Sequence, residues 1–161
     1  MRRFPSLGAL ILAFGLVLLP SQTAQAQDTE MFATGPVNAS FVPVPGFPKG
    51  ADFYVVHGNP MEAFEMFFRL QPGVRVPMHF HTSAERAVGV QGVITMEFED
   101  GTKSGVAPGT YMFIPGKAPH AATCPSGDSP CIAYFYFEKA FDVTWVGEPP
   151  SDPNPMPEAG S

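Results

Sequence analysis

Residues 62–71, EAFEMFFRLQ, alternate in character. Phe64, Met66, Phe68 and Leu70 fall on one face, with Glu65, Arg69 and Gln71 on the other, and only Phe67 breaks the rhythm. A period of two marks a strand with one buried face. Residues 93–100 repeat it: Ile94, Met96 and Phe98 face one way, Thr95, Glu97 and Glu99 the other, and Asp100-Gly101 signals a turn. Shorter β-branched and aromatic runs predict strands at 52–57, 103–107, 111–114, 131–137 and 141–146. Phe41-Val42-Pro43-Val44-Pro45 predicts an edge strand, since its prolines cannot donate to a ladder. Pro72-Gly73, Pro108-Gly109 and Pro115-Gly116 punctuate the pattern. No window carries clean helical periodicity, and no segment repeats. The pattern predicts one all-β domain, a sandwich or barrel.

The two ends depart from this pattern. Residues 1–26 hold an Arg2-Arg3 start, an apolar run over 7–19, a break at Pro20 and a small-x-small Ala24-Gln25-Ala26. That is the layout of a secretory signal peptide cleaved after Ala26, and the run falls short of the roughly 20 residues a membrane span needs. Residues 27–50 read as linker and edge strand, 51–146 as the β-barrel, and 147–161 as a Pro-rich tail. Cleavage removes two arginines and no acids, so the net charge moves from −6 to −8, seven basic against fifteen acidic residues. So acidic a chain offers little to nucleic acid or anionic lipid. The expected location is periplasmic or secreted, with no membrane anchor after cleavage.

The chemistry concentrates in residues 73–92, GVRVPMHFHTSAERAVGVQG. His79 and His81 lie two apart in an extended segment, which puts both on one strand face. With Glu85 they suit a divalent metal of the Zn, Fe, Mn, Cu or Ni group. A second segment, 109–120, GTYMFIPGKAPH, returns a third imidazole in His120.

These two segments resemble the two motifs of the cupin family. Residues 73–92 agree at every fixed position of the first; residues 109–120 resemble the second, with Lys117 where a glycine is usual. Cys124 stands where an asparagine is often seen. The chain also looks like a group of small exported single-domain cupins whose aromatic stretch ends in a sequence like FDVTWV. The resemblance implies a double-stranded β-helix, a jelly roll of six to eight strands, with one divalent metal ion held by His79, His81, Glu85 and His120. It also suggests a homodimer. It does not fix one reaction.

Three imidazoles and one carboxylate would leave coordination sites open, which a catalytic metal needs. The expected function is therefore a metal-dependent enzyme, dioxygenase-like oxidoreductase first, acting on a small organic molecule. The alternatives are a metal-dependent lyase or isomerase, and a non-catalytic metal- or small-ligand-binding protein. Catalytic candidates are Tyr111, Tyr134 and Tyr136, one of which is expected to line the pocket and bind substrate or transfer protons. Arg75 is a further candidate. It shares the parity of His79 if no bulge intervenes at Pro77, and would then point inward or sit at the barrel mouth. Arg86, next to Glu85, is expected on the opposite face as an ion-pair partner. Gly116 is expected to take the positive φ that Lys117 would resist. Met66, Met78, Met96 and Met112 scatter over different strands and read as core rather than as a soft copper site. Cys124 and Cys131, the only cysteines, predict a disulfide in an oxidising compartment, the alternative being a pair of metal-binding thiols.

Overall fold

The computed structural model describes residues 32–157. The chain divides into two units, Met1–Phe32 and Ala33–Ser161, and every strand among the described residues belongs to the second. Residues 1–26, expected to be a signal peptide, lie outside the described residues. Eleven strands follow one another: β1 (Val42–Pro43), β2 (Ala51–Gly58), β3 (Phe64–Leu70), β4 (Arg75–Phe80), β5 (Glu85–Gln91), β6 (Ile94–Phe98), β7 (Lys103–Val106), β8 (Tyr111–Ile114), β9 (His120–Thr123), β10 (Cys131–Phe137) and β11 (Thr144–Trp145). They form two antiparallel sheets, ordered β1-β2-β3-β10-β5-β8 and β11-β4-β9-β6-β7. This is the all-β jelly-roll class expected, with more strands than six to eight: two-residue strands extend each sheet at its edge, and nine longer strands remain.

The alternation seen in the sequence decides which side of each sheet is dry. Phe64, Met66, Phe68 and Leu70 on β3 are buried, as are Ala133, Phe135 and Phe137 on the neighbouring β10. Ile94 and Met96 answer them from the other sheet. Phe67 is buried on the outer face, where it meets Tyr134 edge-on with ring centroids 6.2 Å apart. The prolines of residues 41–45 behave as expected: β1 pairs only with β2, at the sheet edge.

One expectation changes. The final strand, expected over 141–146, is confined to Thr144–Trp145. Residues 141–143 leave the ladder: the Phe141 N–H donates to Pro60 O at 2.7 Å, and Asp142 turns toward β4. The tail is draped on the barrel through Asn154, which is buried although the segment is almost devoid of apolar residues. Its side-chain amide donates to the carbonyls of Val44, Pro48 and Ala51 at 3.0, 3.3 and 3.1 Å. Its backbone also pairs with Gly46 and Phe47. Cys124 and Cys131 form a disulfide that closes the loop between β9 and β10.

Replacing Asn154 by Ala removes the amide while each carbonyl keeps a backbone donor. The expected loss is about 1–2 kcal/mol, read as a lower midpoint in thermal or urea unfolding. An unchanged midpoint would show that the tail is not anchored there.

Candidate metal centre

His79, at the end of β4, sits directly opposite His120 at the start of β9. His81 follows β4 two residues later and so returns to the same face. Glu85 opens β5 in the other sheet, paired with Ile114 and Phe137. All four side chains are buried. Ring nitrogens of the three histidines lie within 4.8 Å of one another, a grouping that could hold a metal ion. The structure also brings the Glu85 carboxylate to them, with Oε1 3.3 Å from His120 Nε2 and 3.6 Å from His81 Nε2.

The backbone fixes the tautomer of each ring. His79 Nδ1 donates to Pro77 O at 2.7 Å, His120 Nδ1 to Ala118 O at 2.9 Å, and His81 Nδ1 to Asp142 O. A carbonyl can only accept, so each Nδ1 carries the proton and each Nε2 presents a lone pair. Burial strengthens this assignment. Desolvation, then His120 and His81, lowers the pKa of His79 to about 2. Desolvation lowers that of His81 to about 4 and also depresses His120. Three acceptors therefore converge with no proton among them. Desolvation meanwhile raises Glu85 to about 8. A divalent cation is the partner this donor set fits: it takes all three lone pairs and restores charge to the carboxylate.

Around the cluster lies a cavity of about 30 Å³, walled by Phe47, Phe68, Phe135 and Phe137 and by Met66, Val76 and Met96. Phe47 and Trp145 hold the His79 ring at centroid distances of 5.7 and 5.4 Å. No tyrosine lines this cavity among the described residues. Tyr111 is 60% exposed and pairs with Val88. Tyr134 and Tyr136 alternate with the inward Ala133, Phe135 and Phe137 and so face outward; burial and then Glu65 push the Tyr134 phenol up to about 12. The expected pocket tyrosine is therefore replaced by phenylalanine. Arg75 is also outside: it bonds Glu97 Oε2 at 3.2 Å and Thr123 Oγ1 at 3.3 Å on the exposed face. The cause is a bulge. Val76 opposes Ala122 and His79 opposes His120, so β4 carries an extra residue around Pro77 and its parity flips. Arg86 faces outward as expected and pairs with Glu138 at 2.7 Å.

The loop before His120 differs from expectation in a way that bears on His81. Lys117, not Gly116, takes the left-handed backbone, at φ 65°. Its N–H then donates to His81 O at 2.7 Å. Gly116 is needed for proximity instead, since a Cβ there would lie 2.5 Å from the Thr82 carbonyl. On the other side of the same segment, the Asp142 carboxylate accepts from the Thr82 N–H at 2.7 Å and from the Thr82 hydroxyl. Asp142 escaped the reading of the sequence because it lies about sixty residues from His81 and belongs to neither motif.

Two predictions follow from this geometry. Lys117→Gly removes the left-handed penalty, roughly 1–2 kcal/mol, against about 0.4–1 kcal/mol of added chain entropy. It should be neutral to slightly stabilising in urea unfolding. Gly116→Ala should cost roughly 1–3 kcal/mol by overpacking and lower metal content; equal stability in both variants would refute the assignment. The second concerns protons. At pH 7 the metal-free imidazoles are neutral while Glu85 holds its proton, so uptake of a divalent ion with Glu85 ionised should release close to one proton. Apparent affinity should then rise about tenfold per pH unit below pH 8 and level off above it. Calorimetry in buffers of differing ionisation enthalpy measures this. Release of two or more protons would mean that the rings are charged before metal arrives.

Residues 66–137 match the family model described as Cupin domain. No curated protein matches the chain significantly in sequence. Among solved structures, the polyketide cyclase RemF from Streptomyces resistomycificus is similar at TM-score 0.64 and 21% identity, over 77% of this chain and 90% of that one. An RmlC-like cupin from Shewanella frigidimarina NCIMB 400 is similar at TM-score 0.55 and 21% identity, over 70% and 93%. The DMSP lyase DddQ from Ruegeria pomeroyi DSS-3 gives TM-score 0.57 and 15% identity, over 68% of this chain and 62% of that chain. At such identities the structures share the fold. The family match, on the two-sheet barrel, makes residues 66–137 of this chain a cupin domain.

Proposed function

We propose that the protein is an exported metal-dependent enzyme acting on a small organic molecule through one of that molecule's oxygen atoms. The observation that carries this reading is the convergence of three Nε2 lone pairs and a buried carboxylate on one cavity. His79, His81, Glu85 and His120 are the proposed ligands of one divalent ion, of the Fe, Mn, Zn, Ni or Cu group. Such an ion would supply Lewis acidity to a carbonyl, carboxylate or enolate oxygen. The chain's own residues do the rest. Pro77, Ala118 and Asp142 hold the imidazoles in one orientation through their carbonyls. The phenylalanine wall excludes water and lowers the local dielectric, which strengthens charge interactions inside. Glu85, whose free carboxyl is pushed up to about 8 by burial, would give up that proton on joining the ion as a ligand.

A lyase- or isomerase-type reaction now leads over the dioxygenase-like oxidoreductase expected from the sequence. It requires Lewis acidity and no oxidant, and two of the similar structures are named a cyclase and a lyase. Export to the periplasm or beyond is part of the same reading, supported by residues 1–26 and by a disulfide of the kind that persists in oxidising compartments. So is a homodimer, for which the outer sheet face offers Phe113, 49% exposed, beside Tyr111. Nucleic acid is not a proposed partner.

Protein loaded with cobalt(II) should change its visible absorption when pyruvate, a small oxygen donor, is added, while consuming no dioxygen. A spectrum that ignores pyruvate would favour a non-catalytic binding protein, and stoichiometric oxygen uptake with an iron-loaded sample would restore the oxidoreductase. His81→Ala should lose most of its metal while keeping its β-sheet circular dichroism; full metal loading would show the ligand set to be wrong.

A further inference from the structure

A second cavity, of about 430 Å³, lies beside the histidine cluster. Its walls include Val44, Phe53 on β2, Phe64 and Met66 on β3, Phe141, and Met156 from the tail. The one acid on its lining is Asp142, whose carboxylate is already engaged by the Thr82 N–H and hydroxyl. No lysine, arginine or histidine lines it among the described residues. Met66 borders both this space and the small cavity among the histidines. Phe141 borders the larger space and packs on the His81 ring at 5.1 Å. Met66, an unbranched and flexible side chain, is thus a wall common to both cavities.

We infer that the larger cavity seats the apolar body of the substrate, while a single oxygen-bearing end passes Met66 to reach the histidine cluster. This rests on the reading of the cluster as an open metal site. Size and polarity give the division of labour. The cavity beside the histidines, about 30 Å³, is far below the roughly 300–1,000 Å³ of small-molecule sites and has room only for the oxygen-bearing end of such a molecule. The 430 Å³ space falls within the range of roughly 300–1,000 Å³ for small-molecule sites. Its walls reward hydrocarbon or aromatic surface and offer nothing to replace the water lost by a buried hydroxyl or charge. Sugars and zwitterions are therefore disfavoured, and a hydrophobic molecule with one polar end is the class selected.

The test is a titration of cobalt-loaded protein with straight-chain 2-oxo acids from pyruvate to 2-oxooctanoate, followed by calorimetry and by the cobalt spectrum. Affinity should tighten about fourfold per added methylene until the cavity is filled, and Phe53→Asp should flatten that slope. If the spectrum responds to every acid but affinity does not depend on length, the apolar seat is wrong while the metal reading stands. If affinity climbs with length but the spectrum never responds, the seat stands and the open-metal reading fails. If neither is seen, both are overturned.

Discussion

Desolvation of three imidazoles and a carboxylate at one point is the constraint on which the rest of the site depends. In water the histidines would exchange freely between tautomers and charge states. Buried between two sheets, they are driven neutral, and His79 most of all because His120 and His81 face it. Neutral rings still have to choose which nitrogen keeps the proton, and the choice is made by three backbone carbonyls. Each takes an Nδ1–H, and each thereby turns an Nε2 lone pair inward. The result is a cluster of acceptors beside a carboxyl whose ionisation burial opposes. It is costly as it stands and would be relieved by a cation.

Keeping that geometry in place requires local departures from ideal β structure. Pro77 cannot donate to the ladder, and β4 bulges beside it, which turns His79 inward and Arg75 outward. Lys117 adopts a backbone conformation that costs any residue with a Cβ, and its N–H holds the carbonyl of His81. Thr82 is clamped from the opposite side by Asp142. Strained or irregular backbone persists only where its surroundings over-determine it. Here the aromatic packing of Phe47, Phe137, Phe141 and Trp145 around the histidines provides that surrounding. The same rings wall the cavity, so the features that hold the imidazoles also lower the dielectric around them.

Much of this was legible in the chain. Alternation over 62–71 and 93–100 identified buried faces, because a pleated strand shows its two faces in strict turn. The His-x-His spacing and the two family motifs named the four inward residues, since spacing within a strand is a local property. The all-β class, the edge strand at its prolines and the outward Arg86 followed from the same local rules, and the disulfide from cysteine count and compartment. Tertiary structure decided whatever depended on a register shift or on distant chain. A single extra residue in β4 reversed the parity of Arg75. Parity along β10 alone could not say whether its tyrosines or its phenylalanines faced the histidines; pairing of that strand between β3 and β5 settled it for Phe135 and Phe137. Asp142 and Asn154 act across about 60 and 110 residues, and no local pattern encodes a partner at that range. The left-handed backbone fell on Lys117 rather than Gly116 because Gly116 is pressed against the Thr82 carbonyl, a contact that exists only once the two loops have come together.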